Sequence, residues 1–140
     1  MTRWKSILVA LATTLFAAQT GMGATPAPGG KRVVEFRTFT LKPGTRAEFH
    51  RIASQLAAPM QRRANMDVVA CGPSAHDENS YLVIRAWATL EDREKTEKAF
   101  YGSDEWAKGP RDGVMERIET FTTAVVHLDA ATVEGLRSGC

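Results

Sequence analysis

RVVEFRTFTL, residues 32–41, is a run of β-branched and aromatic side chains closed by Pro43-Gly44, the pattern of a strand and the turn that ends it. Alternation sends Val34, Phe36, Thr38 and Thr40 to one side and Glu35, Arg37, Phe39 and Leu41 to the other. Two charges therefore sit in mid-strand, where burial is costly unless they are paired.

Downstream, Thr45 and Glu48 make a capping box for a helix to about Arg63, with Phe49, Ile52, Leu56 and Met60 as its apolar stripe. Pro59 lies inside that stripe and predicts a kink or a local break. Met66–Cys71 (MDVVAC) and Ser80–Ala88 (SYLVIRAWA) read as a strand pair around the polar loop Gly72–Asn79. Thr89 with Asp92 starts a second helix through about Phe100, and Ser103 caps a further helical piece that Gly109-Pro110 interrupts. Glu119–Leu128 (ETFTTAVVHL) is the last strand, and residues 129–140 are expected to be a flexible tail carrying no fold. The order βαββαβ is the ferredoxin-like arrangement: one α+β domain, residues 32–128, whose antiparallel sheet is covered by helices on one face.

In the third strand Tyr81, Val83, Arg85 and Trp87 alternate with Leu82, Ile84 and Ala86. The topology makes the first and third strands central neighbours, so Glu35, Arg37, Arg85 and Trp87 share a face, with a last-strand residue such as Glu119 nearby. Two readings stand. The charges form an ion-paired ladder, solvated or sealed in a dimer interface, or Arg37 and Arg85 grip an anionic group bidentately in a pocket.

Residues 1–23 have the layout of a cleavable export signal: Arg3 and Lys5, the apolar run Ile7–Ala18, then Gly21-Met22-Gly23 before Ala24. The run is short of the roughly 20 residues a bilayer span needs. Residues 24–31 read as a flexible linker, and the mature chain is expected to be periplasmic or secreted, with no stable membrane span. The chain has 18 Lys+Arg against 16 Asp+Glu, a formal charge of +2. Loss of Arg3 and Lys5, with no acidic residue before Glu35, leaves 16 against 16. That neutrality removes the global electrostatic case for nucleic-acid binding. Cys71 and Cys140 either pair, within or between chains, or remain a small core residue and a tail thiol.

Val34–Gly44 (VEFRTFTLKPG), Pro59-Met60-Gln61-Arg62-Arg63, Trp87–Glu94 (WATLEDRE) and Asp104-Glu105-Trp106 together resemble the NIPSNAP family over roughly residues 32–128. The resemblance implies a dimeric α/β barrel, two ferredoxin-like subunits placing their sheets face to face with helices outside, so that the polar second face becomes an interface. It implies no reaction. Fold relatives include cofactor-independent monooxygenases and haem-handling enzymes, an analogy at the level of fold alone. The export signal departs from the commoner cytosolic or mitochondrial members.

His50, His76 and His127 do not cluster, and no H-E-x-x-H or Cys/His ligand spacing occurs, so neither a metal nor a cofactor is expected. Arg62-Arg63 either grip a phosphate or carboxylate or, more simply, complement the macrodipole at a helix C-terminus. Trp87 and Trp106 are core or interface aromatics, or they line a cleft between helices and sheet. The expected function is a homodimer binding a small apolar or anionic ligand in that cleft, with Glu35, Arg37, Arg85, Trp87 and Trp106 as candidate contacts. The alternative is a cofactor-independent monooxygenase-like or haem-handling enzyme, the latter with His127 as the haem ligand.

Overall fold

β1 (Lys31–Leu41) is one of two central strands in a computed structural model that describes residues 29–140. The expected export signal and most of the linker lie outside the described residues. With β2 (Asp67–Pro73), β3 (Ser80–Trp87) and β4 (Ile118–Asp129) it forms an antiparallel sheet in the order β2-β3-β1-β4, the ferredoxin-like order. Glu35 lies directly opposite Arg85 of β3 and Val125 of β4.

The first helical region runs as α1 (Arg46–Ile52), a π-helical turn (Ala53–Ala57) and α2 (Ala58–Arg63). Pro59 explains the wide turn. The Ala58 N–H reaches back five residues to the Ala53 carbonyl, just before a residue with no N–H to offer. The expected break is thus a widening and not an end. The expected capping box is absent: the Thr45 hydroxyl donates to the Lys42 carbonyl at 2.7 Å, and Glu48 pairs with Arg51. Thr45 already has helical backbone angles, φ −99° and ψ −5°, without the extended geometry that aims a side chain at the first turn. Asn65, at φ 61°, ends α2, and the Met66 N–H bonds back to the Gln61 carbonyl at 2.9 Å.

α3 (Leu90–Tyr101) and α4 (Asp104–Lys108) carry the expected caps, Thr89 accepting from the Asp92 N–H and Ser103 from the Trp106 N–H. α5 (Arg111–Met115) follows the Gly109-Pro110 interruption. At Gly109 a Cβ would fall 2.5 Å from the Glu105 carbonyl oxygen, so the break needs glycine there.

Two apolar clusters lie on opposite faces of the sheet. Phe49, Ile52 and Met60 pack with Leu41, Tyr81, Trp87, Phe100 and Trp106 on the helix-covered face. That face also carries Glu35, Arg37 and Arg85. The charged face is therefore the one under the helices, which corrects the expectation of a solvated or interface ladder. Helix α3 is polar enough to pair with charged strands, so a polar sheet face does not mean an uncovered one.

The opposite face gathers Val34, Ile84 and Ala86 around Val133. Val133 belongs to α6 (Ala130–Gly135), which forms where a foldless tail was expected. Residues 129–140 are small and polar apart from Val133 and Leu136, three apart and so on one helix face. Beyond α6, Gly139 bridges to Ala70, and Cys140 forms a disulfide with Cys71 across a Cα–Cα distance of 4.7 Å. Of the two cysteine readings left open by sequence, pairing within the chain is the one observed. Among the described residues no helix is long and apolar enough to cross a membrane.

The cross-link closes a loop over a sequence separation of 69, and restriction of the unfolded chain by such a loop stabilises by about 2–4 kcal/mol. Cys140→Ser should lower the unfolding free energy by about that amount in non-reducing denaturant titrations. An unchanged midpoint would mean that the bond does not form in solution.

Candidate functional site

α3 lays a polar stripe over the middle of the sheet. The Thr89 cap fixes its start, and Arg93, Glu97 and Tyr101 then recur every four residues, on the face turned to β1 and β3. Below them Glu35 is fully buried. Its Oε1 accepts from Arg85 Nε at 3.2 Å and from Arg85 Nη2. Its Oε2 accepts from Arg93 Nε and Arg37 Nη2, both at 3.1 Å, and from Arg93 Nη2.

Glu97 meets the same cations from above, accepting from Arg85 Nη2 at 3.2 Å and Arg37 Nη2 at 3.4 Å, and lying 3.0 Å from Arg93. Arg85 Nη1 donates to the Tyr101 hydroxyl at 2.8 Å. The guanidiniums of Arg85 and Arg93 lie 5.7 and 5.8 Å from the Trp87 ring centre. Among the described residues, three guanidiniums thus share two carboxylates, a surplus of one positive charge.

Burial pushes the Glu35 carboxyl up, but the Arg85 charge, the Arg93 hydrogen bond and the Arg37 charge outweigh it and hold the group below its ordinary value. Glu97 goes the other way: burial and the neighbouring Glu35 charge outweigh the guanidiniums and hold its carboxyl above the usual range. Burial also works against the Arg85 charge, yet Tyr101 and Glu35 keep that guanidinium more firmly protonated than usual.

Beside the cluster the helix–sheet interface is unfilled, leaving a cavity of about 270 Å³. Phe39, Val83 and Phe121 line it from the sheet, and Phe49, Ala53, Ala57 and Trp106 from the helices. The Cys71–Cys140 disulfide forms part of the wall, and the polar side chains are Arg37, Gln61, Arg85 and Tyr101.

Of the residues singled out in the sequence, Arg37, Arg85 and Trp106 line the cavity. Glu35 and Trp87 stand behind it in the cluster, with Trp87 Nε1 donating to Thr96 Oγ1 at 2.8 Å. Glu119 is not part of it: it is exposed on β4, because the register sets Val125 opposite Glu35. Arg62 donates to the Val68 carbonyl and Arg63 pairs with Glu105 at the surface. His127 is exposed on β4 and outside the cavity lining, while His50 Nδ1 lies 2.7 Å from the Tyr81 hydroxyl. Among the described residues no three His, Cys, Asp or Glu side chains converge as a metal site. Sequence reasoning missed Arg93, Glu97 and Tyr101. Their signal was the four-residue spacing, which an ordinary solvated helix face also shows.

Glu35→Gln would leave buried guanidiniums short of charge, and breaking such a cluster costs about 3–5 kcal/mol. Glu35 titrates below its ordinary value when folded. Its stabilisation is therefore complete above the unfolded glutamate range, about 4.3, and is lost as pH falls from there through the folded value. Denaturant titrations should show wild-type stability falling more steeply below that range than that of Glu35→Gln. Parallel pH profiles would refute the buried-pair account.

The NIPSNAP family pattern matches residues 34–127. Comparison with curated proteins gives no match. The fold is similar to a NIPSNAP family protein of unknown function from Agrobacterium tumefaciens, at 18% identity and a TM-score of 0.64, covering 70% of this chain and 88% of that one. An uncharacterized NIPSNAP-like domain protein from Burkholderia xenovorans is similar at 18% identity and TM-score 0.62, covering 68% and 83%. A candidate antibiotic biosynthesis monooxygenase from Bordetella bronchiseptica shares the fold at 23% identity and TM-score 0.54, covering 69% and 94%. The family match runs from within β1 almost to the end of β4, more than half of the sequence, and the chain belongs to the NIPSNAP family.

Proposed function

We propose that this protein is an exported, homodimeric α/β-barrel member of its family that binds a small apolar or anionic ligand between helices and sheet. The cavity is the observation that carries this reading. The space, about 270 Å³ and partly open to solvent, is larger than the gaps that close packing of helices on a sheet leaves. The volume falls just below the range of about 300–1,000 Å³ of small-molecule sites, which suits a one- or two-ring ligand. The walls are largely apolar, and the guanidiniums of Arg37 and Arg85 are part of them.

Dimerisation is supported by β4, an edge strand with Phe121 50% exposed and Val125 and Val126 each 38% exposed on opposite faces. Apolar edges of this length are ordinarily covered. Export is supported by the layout of residues 1–23 and by a disulfide of the kind that persists in oxidising compartments.

A cofactor-independent monooxygenase-like activity is the second reading. It is favoured by the aromatic wall of Phe39, Phe49, Tyr101, Trp106 and Phe121 and by the fold shared with the Bordetella protein. Dioxygen uptake in the presence of 1-naphthol would establish it, and binding without uptake would dismiss it for that substrate class.

Light scattering at micromolar concentration should return twice the mature monomer mass, and a monomer would remove the dimer. Saturating 2-naphthylmethanol should raise the melting temperature by roughly 2–8 °C, and Ala57→Phe, which puts a ring into the cavity, should cancel the shift. No shift in the wild type with either this alcohol or the matching carboxylate, 2-naphthoate, would sink the ligand-binding reading.

A further inference from the structure

We infer that the cavity takes a monocarboxylate with an apolar one- or two-ring body, and that Arg37 holds the carboxylate. This rests on the cavity being a ligand site and goes further by fixing the ligand's charge and its contact.

Three guanidiniums against two carboxylates leave one uncompensated positive charge beside an apolar chamber. The surplus falls on Arg37 and Arg93, whose side chains keep 15% and 18% exposure; a charge drawn partly out of water gains from a counter-ion, and a single anion completes the balance. A dianion such as phosphate would overshoot it.

Hydrogen-bond geometry then selects the cation. Every nitrogen of Arg85 already donates, Nε to Glu35, Nη2 to Glu35 and Glu97, and Nη1 to Tyr101, and its side chain is only 2% exposed. Arg93 does not line the cavity. Arg37 does, and its side chain keeps 15% exposure. Its Nε donates to Thr123 Oγ1 at 3.2 Å and its Nη2 to Glu35, whereas Nη1 has no hydrogen-bond partner among the described residues. The Nη2 contact with Glu97, at 3.4 Å, is the longest in the cluster. An incoming carboxylate can therefore take Nη1 and displace Glu97 from Nη2, giving the two parallel bonds a guanidinium prefers. Phe121, whose ring centre is 5.2 Å from the Arg37 guanidinium, and Phe39, 5.9 Å from Phe121 between ring centres, continue the wall along which an apolar body would lie.

The probes are 2-naphthoate and its uncharged counterpart 2-naphthylmethanol, compared by calorimetry on the mature protein. The wild type should bind naphthoate roughly tenfold or more tightly than the alcohol, the scale of a charge-assisted hydrogen bond. Arg37→Met balances the cluster at two against two, so it should fold, keep its affinity for the alcohol and lose the preference for naphthoate. Glu97→Gln raises the surplus and frees Nη2, so it should tighten naphthoate and leave the alcohol unchanged. It decides the matter if Arg37→Met does not fold. Equal affinities in the wild type, a preference that survives Arg37→Met, or no gain in Glu97→Gln would each overturn the inference while the cavity stands as a ligand site. Failure of both probes to bind the wild type would instead remove the ligand-binding reading itself.

Discussion

A single carboxylate, Glu35, has no contact with water and lies in the middle of a central strand. Such a group is tolerable only where cations reach it, and they come from three elements: Arg37 from its own strand, Arg85 from β3 and Arg93 from α3. Two of these depend on register. Arg85 reaches Glu35 because the two residues are directly opposite in the β1–β3 ladder, and a slip by one residue would send both side chains to the other face. Arg93 reaches it only with α3 at one rotation. Buried ion clusters add little net stability over an apolar packing of the same shape, while breaking one is expensive. The contribution of Glu35 is therefore to specify how helix and sheet meet.

The cavity opens beside this cluster, with Arg37 and Arg85 in its lining. Phe100 is the buried apolar residue of α3, so the helix is held over the sheet by the ion cluster, the Trp87–Thr96 hydrogen bond and that one ring. Fixed polar distances keep it from settling further. On the other side of the cluster, small residues of the first helical region, Ala53 and Ala57, face the sheet across the unfilled space. They lie in the π-helical turn that precedes Pro59. One sequence feature sets the spacing of the helices and another leaves their inner surface small.

The strands were legible because alternation of apolar and charged residues survives on both central strands, and the order of elements then allowed one topology. The grouping of Glu35, Arg37, Arg85 and Trp87 on one face followed from the same alternation. Which face the helices cover was not legible. α3 is rich in charge, and Arg93-x-x-x-Glu97 looks the same whether it faces water or a buried carboxylate. α6 was missed for another reason: six residues with one buried valine carry no periodicity, and the helix exists through its packing on Val34, Ile84 and Ala86. The Thr45–Glu48 spacing fitted a capping box, but backbone angles at Thr45 decide whether its hydroxyl can serve, and spacing does not encode them.

The C-terminal segment joins the two faces that the sheet keeps apart. α6 packs on the face away from the ion cluster, yet the segment passes the β2 edge, bridging Ala70 with Gly139, and ends as part of the cavity wall through the Cys71–Cys140 bond. Cys71 sits opposite Val83 in the β2–β3 ladder, and Val83 lines the same cavity. The cross-link fixes Cys140 as part of the cavity lining, to which Arg37 and Arg85 also contribute. The lining is therefore chemically uneven, covalently fixed along one stretch by the disulfide and cationic along another.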